Sequence, residues 1–518
     1  MTMAKKIVAN DIRFCHPDNM ASQTDLYYMR LANRIQGCLC EELQVEDENK
    51  EKIIRRGAIL LTNYMEDIVA DSGVWRTFSN LCMDLYGHPV PLFHEEEEYY
   101  PDEPSLNAVR YLLWSAWSDV TDDYVYSDAS LLELMAFTAF SILDEAFEEA
   151  PVNEQLAEVT DSQLQLATEG FDELRIVLKW LYGKCYLISG ERNDSLLDKH
   201  ADEMLSLAEG EMFPLKSLDM ARYYASTRCI FLYRSGHLAL YPKDFLAAMM
   251  RAKGMTQEAV DVESIEFLNF GTYKIESIEP QANPTEKAPG AERVRLTRTD
   301  GRQIDIYAGE LNLPRDKGVE DFDACMASSF VLYQGEWHLN GIVMPLEGVA
   351  GKWDDLCKDD PDYTEPGKQI LTGEMLLERT GGKQMVYCAD KKELKDFLIE
   401  KIGLPGNCID VVDKRADKFP TVFIDTENPK QSLQFFFGYS PCIADPDNPF
   451  YDKEEARESA INLLCDAGSV STHAVQYMLD HGFLPDIYDD ELLSEFSTVE
   501  EKRKDIDFLM RYYRREDY

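Results

Sequence analysis

The sequence predicts an α+β, multidomain chain. It divides into an all-α N-terminal domain (residues 1–262), a small antiparallel β-barrel-like module of SH3-like kind (263–348), a mixed α/β domain (349–485) and a charged helical tail (486–518). Three observations predict this. Apolar residues recur at steps of three and four through the first half. Alternation of period two replaces them near residue 265, and short strand-like and helical runs then follow one another to the end. With 518 residues, 45% hydrophobic and 11% aromatic, the chain has apolar material for several cores and is unlike a disordered polymer.

The helical half is read first. Residues 24–39 (TDLYYMRLANRIQGCL) place Tyr27, Leu31 and Ile35 on one face, and residues 52–69 continue in that style. Residues 105–117 follow Pro104, which suits a helix start, where a proline loses no hydrogen bond. Residues 131–150 give the strongest pattern. Ser130 and Glu133 have capping-box spacing, and Leu132, Met135, Ala139, Leu143 and Ala146 form a stripe. Leu134, Phe137 and Phe140 widen it, so this helix is expected at the centre, ending at Pro151. Further helices are expected over 163–188, 195–208, 217–234 and 242–253.

Around 265 the register becomes derivable. After a weakly alternating strand at 273–278 and a Pro/Gly-containing loop at 281–290 comes VRLTRTDGRQIDIY. A three-residue loop, Thr299–Asp300–Gly301, sets Val294 opposite Ile306 and Leu296 opposite Ile304 on one face, with Arg295 facing Asp305 on the other. A two-residue loop would mix apolar and charged partners on both faces, so the first register is predicted. Gly301 then takes the left-handed bulge position. In SFVLYQGEWHLNGIV a turn at Gln334–Gly335 sets Phe330 opposite Leu339 and Leu332 opposite Trp337. Beyond, strands are expected at 383–388, 421–425 and 433–439, and helices at 391–401, 452–466 and 471–481. From about 490 a charged helix with the Tyr512–Tyr513 pair is expected to dock on the body.

Charge and special residues bound the function. The net charge of −44 repels phosphate backbones and anionic membranes, making direct nucleic-acid binding an unfavoured reading. No stretch approaches the roughly 20 apolar residues of a membrane span. Lys5 and Lys6 precede only Ile7, Val8 and Ala9 before Asn10 and Asp11, too short for a secretory leader. The 12 cysteines lack C-x-x-C spacing and are expected as reduced thiols in a cytoplasmic protein. His16, His88 and His94 fall in different segments, so no metal site and no cofactor are expected. The phosphate-loop pattern fails at GVAGKWDD and at ERTGGKQMV. The acid-rich run 445–455 breaks the calcium-loop pattern at Pro449 and Phe450 and reads as a capped helix entry. Asp425 ends an apolar strand, the position of a weak catalytic-carboxylate candidate. One basic cluster stands against the overall charge: Arg293, Arg298 and Arg302 on the first hairpin, beside the paired Arg295, are the candidate binding residues.

TDLYYMRLANRI (24–35) and QGEWHLNG (334–341) resemble an uncharacterised bacterial family, known as a domain of unknown function in large cytoplasmic proteins. The resemblance implies a bacterial cytoplasmic setting and assigns no activity and no functional residue. The expected function is therefore a non-enzymatic protein-interaction or binding module with a protein partner. The alternative is a metal-dependent hydrolase whose carboxylates are gathered from several segments, and a third reading is an acidic mimic of nucleic acid.

Overall fold

A computed structural model describes residues 5–44, 47–94, 98–121, 124–127, 129–208, 217–280, 292–311, 325–346, 352–359, 371–404, 418–428, 431–488, 498–516 and 518. The expected loop at 281–290 and the end of the expected barrel-like module at 347–348 lie outside them.

The first half is helical. It holds α1 (Ala9–Arg13), α2 (Asp25–Glu42), α3 (Glu48–Ala70), α4 (Val74–Tyr86), α5 (Leu106–Thr121) and α6 (Ser130–Phe147). After these come α7 (Glu154–Leu166), α8 (Phe171–Gly183), α9 (Glu191–Ala208), α10 (Leu218–Leu232), α11 (Pro242–Ala252) and α12 (Thr256–Glu263). The centre is α3 against α5. Their approach leaves no room beside Gly57, where a Cβ would stand 2.7 Å from a Leu113 methyl. The expected central role of α6 is corrected: Leu132, Met135, Ala139 and Leu143 are buried, but Leu134 and Phe137 are 41% and 52% exposed. A wide apolar surface in sequence counts residues without knowing how many neighbours reach them. Ser130 is not the cap either: it is the first helical residue, and Ala129 holds the capping position without a side-chain hydrogen bond. Glu133 instead meets the buried Arg110 at 2.9 Å. The single helix expected over 163–188 is two, broken between Leu166 and Phe171 where Gly170 intervenes.

Six strands follow: β1 (Glu266–Pro280), β2 (Glu292–Arg298), β3 (Gln303–Tyr307), β4 (Cys325–Tyr333), β5 (Glu336–Leu339) and β6 (Met344–Leu346). The order β1-β2-β3-β5-β4 closes through a β1–β4 pairing, and β6 adds to β4. Both predicted registers hold: Val294 faces Ile306, Arg295 faces Asp305, Leu296 faces Ile304, and Phe330 faces Leu339. Gly301 has φ +89. The barrel is mixed rather than wholly antiparallel, because β3 and β5 run parallel at Ile306–Trp337; closing a ring from two hairpins and one long strand brings two like-directed edges together. Its core is Tyr273, Val294, Leu296, Ile304, Ile306, Met326 and Phe330. The barrel rests on the helices through Phe171 stacked on His338 (4.9 Å), Phe231 on Phe267 (5.6 Å) and the Tyr333 hydroxyl donating to the Ala167 carbonyl (2.8 Å).

The remainder holds α13 (Trp353–Asp359), α14 (Gly373–Arg379), β7 (Met385–Tyr387), α15 (Lys391–Phe397), β8 (Thr421–Ile424), β9 (Leu433–Phe436), α16 (Lys453–Cys465), α17 (Thr472–Asp480) and α18 (Val499–Tyr513). The antiparallel sheet β7-β8-β9 is buried on both faces at β8, as its unbroken apolar run requires. Val422 and Ile424 enter a small core with Leu376, Leu394 and Ile402, while Phe423 joins the main one. Asp452 caps α16, accepting from the Glu454 and Glu455 amides. The terminal helix α18 is deeply built in. Its Tyr512 ring lies 4.8 Å from that of Trp114 on α5, and its hydroxyl donates to Asp119 at 2.7 Å. Buried Arg514 donates to the carbonyls of Leu463, Leu464 and Asp466 at the end of α16 and of Val470 in the turn that follows. One apolar core thus runs from Ile7 to Tyr513.

Candidate functional site

The hairpin arginines are largely engaged within the barrel. Arg293 meets Glu336 at 2.5 Å and lies over the Tyr307 ring at 4.1 Å. Arg295 grips Asp305 at 2.9 and 3.2 Å. Arg298 meets Asp300 at 2.8 Å with its side chain 12% exposed, whereas Arg302 is 64% exposed and 4.0 Å from the same carboxylate. Alternation in sequence fixes which residues face each other, but it does not say that strand closure would bring Glu336 to Arg293.

Asp425 is buried at the end of β8. Its carboxylate accepts from the Glu427 and Asn428 amides, from Gln434 and, at 2.8 Å, from His473 Nδ1. This His–Asp pair orients an imidazole, with no nucleophile among its described hydrogen-bond partners. Asp67 is likewise buried and the Asp119 side chain is 10% exposed, both on other elements. Asp67 accepts from Ser72, Tyr186 and the amides of Gly73, Val74 and Trp75, and so caps α4. Asp119 is held below the usual carboxylate range by Arg515, His237 and Arg56, against the effect of burial. Among the described residues no three His, Cys, Asp or Glu side chains gather as a metal site of three protein ligands would need, and no helix is long and apolar enough to cross a membrane. The described cysteines are free thiols.

A cleft of about 600 Å³ opens where α9, the end of α16 and the chain after α18 meet. Tyr124, Tyr439 and Tyr513 line it, with Arg192 and Lys199 on the α9 wall and Asp466 and Glu516 opposite. Arg192 already donates to the Tyr513 carbonyl at 2.9 Å, and Tyr439 to Asp466 at 2.8 Å. Opposite charges thus share the walls of this space.

The outer face of α8 is different. Its inner side, Leu174, Val177, Leu178 and Leu181, is buried, as the three-and-four spacing demands. Outward stand Arg175, Ile176 and Lys179, with Lys184 just past the helix end. Arg175 is paired with Asp172 and lies over Phe171 at 4.9 Å. Lys179 lies over the Tyr223 ring at 3.8 Å, and Lys184 over the Phe14 ring at 5.9 Å. Neither lysine has an ion pair with a described residue. Ile176, Tyr223 and Phe14 are 57%, 54% and 49% exposed. Burial, then Arg175, brings Lys179 down to about 8. The sequence does not announce this strip, because Phe14, Lys179 and Tyr223 come from three separate helical segments. Its one legible sign was the trio Arg175, Lys179 and Lys184 inside an apolar run.

A family described as protein of unknown function (DUF3843) matches residues 6–272 and 350–515, and the chain belongs to it. The matched parts contain residues 24–35, whereas residues 334–341 and nearly all of the barrel lie between them. No curated protein and no solved structure matches the chain.

Proposed function

We propose that the chain is a protein-interaction module whose α8 face takes up an acidic segment bearing apolar side chains, supplied by a protein partner. The observation that carries this is the pairing of Lys179 and Lys184, without carboxylate partners among the described residues, with exposed Tyr223, Phe14 and Ile176 on a chain of net charge −44. With acids in such excess, most cations can find one; a desolvated ammonium left over an aromatic ring is a site that a partner's carboxylate can complete. The exposed rings beside it supply the rigid apolar contact that dominates interface energetics. Exposed Arg302 on the barrel hairpin is a second contact within this reading.

A binding measurement tests it. A fluorescent peptide of alternating Glu–Leu character, read by anisotropy against the full chain, is expected to bind, and its Gln-for-Glu counterpart more weakly. Lys179→Glu with Lys184→Glu should weaken the acidic peptide about tenfold, the scale of two exposed charge pairs. Equal binding by the double variant would remove the reading.

A second reading, a small polar ligand, is favoured by the cleft of about 600 Å³ between α9 and α16, a size usual for such sites. The hydrolase reading needs carboxylates on one concave surface, and the separate hydrogen bonding of Asp67, Asp119 and Asp425 gives it no support.

A further inference from the structure

The geometry points to a binding site for one divalent transition-metal ion of the imidazole-preferring class (zinc, nickel, copper or cobalt) at His88 and His94. These residues flank a turn between α4 and α5, and folding brings their rings to 4.2 Å between centroids, at 77°. By sequence alone they fall in different segments.

Hydrogen bonding fixes which nitrogen of each ring carries the proton. His88 Nδ1 is 2.8 Å from the Val90 carbonyl oxygen. A carbonyl only accepts, so Nδ1 carries the hydrogen and Nε2 keeps its lone pair. His94 Nε2 is 2.8 and 2.9 Å from the two oxygens of Asp505 on α18, so Nδ1 keeps the lone pair in the singly protonated ring. Both lone-pair atoms, His88 Nε2 and His94 Nδ1, are buried and have no hydrogen-bond partner. Two buried acceptors left open on touching rings need a donor or a cation.

The surroundings favour a cation. A histidine that binds metal usually hands its other N–H to a carboxylate or a backbone carbonyl, which fixes the ring. Both arrangements are present here, and the Asp505 side chain is only 3% exposed. Two imidazoles suit borderline metals rather than magnesium or calcium, which prefer oxygen. With no third ligand among the described residues and with Lys504 close by, donating to the Tyr86 carbonyl, water would complete the coordination, and binding is expected to be weaker than at a site of three or four protein ligands.

The test uses tag-free full-length protein stripped with chelator. Titration with nickel or copper chloride, by calorimetry and by the copper electron-spin spectrum, should give one site with nitrogen coupling. Magnesium chloride should give no saturable heat. His88→Ala and His94→Ala should each abolish the site; His88→Gln, which retains a polar side chain, separates loss of the ligand from loss of the fold. Asp505→Asn should weaken binding about tenfold, as expected of a group that orients a ligand. Absence of a saturable site in the wild type, or binding unchanged in His88→Gln, would overturn the proposal; water bridging the two nitrogens would give the first of these results.

Discussion

Lys179 is the residue at which the local physics is most exposed to measurement. Its ordinary value of 10.5 applies to the unfolded chain, and burial brings it to about 8 in the fold. Between these values the unfolded state holds a proton that the folded state has released, so raising the pH favours folding. The destabilisation from burying this ammonium is therefore fully present below about 8 and gone above 10.5. Lys179→Met should be more stable than the wild type at neutral pH, and the gap in urea midpoint should close as pH rises through that window; a pH-independent gap would count against the assignment. Gly301 makes a second, simpler case. At φ +89 a side chain is strained, and Gly301→Ala should cost about 1 kcal/mol in urea unfolding. That glycine, and the Arg295–Asp305 pair beside it, were legible in sequence because burying one face of a hairpin allows a single register. The pairing of Lys179 with Tyr223 was not, because nothing periodic links residues that meet only through tertiary packing, and that of His88 with His94 was not, because they lie in a non-repetitive connection whose path no periodicity fixes.

Among the elements, α6 and α18 show how burial departs from composition. The apolar content of α6 promised a core helix, yet Phe137 is half exposed and lies beneath the Arg110 guanidinium at 5.6 Å. Residues 499–513 read as a charged helix, yet Ile506, Phe508, Leu509, Tyr512 and Tyr513 are buried. The Tyr512–Tyr513 pair is what supported docking in the sequence; how deeply the helix docks depends on Trp114, which is hundreds of residues away in the chain. Arg514 locks this arrangement by meeting four carbonyls at the end of α16 and in the turn that follows. Arg514→Leu would leave those acceptors buried without donors. The expected loss is about 3 kcal/mol, read as a lower urea midpoint; a loss within experimental error would mean that water replaces the guanidinium. Asp67→Ala should cost a similar amount, about 3 kcal/mol, because it strands the amides at the start of α4.

For the molecule as a whole, the two segments matched by the family share one core, and the barrel between them rests on α8 and α10. Net charge acts at this scale. A chain of −44 repels an acidic partner at long range even where Lys179 and Lys184 attract it at contact. Salt screens the long-range part within roughly 8 Å at physiological strength, so adding salt should raise the association rate constant for the acidic peptide, opposite to the usual case of complementary charges. Stopped-flow anisotropy across a salt series checks this. The measurement that tests the α8 reading most directly is hydrogen exchange on the full chain with and without that peptide. Slowed exchange should concentrate in residues 171–184 and 218–232. Protection confined to the barrel hairpin at 293–307, or none anywhere at saturating peptide, would contradict the assignment of α8 as the docking face.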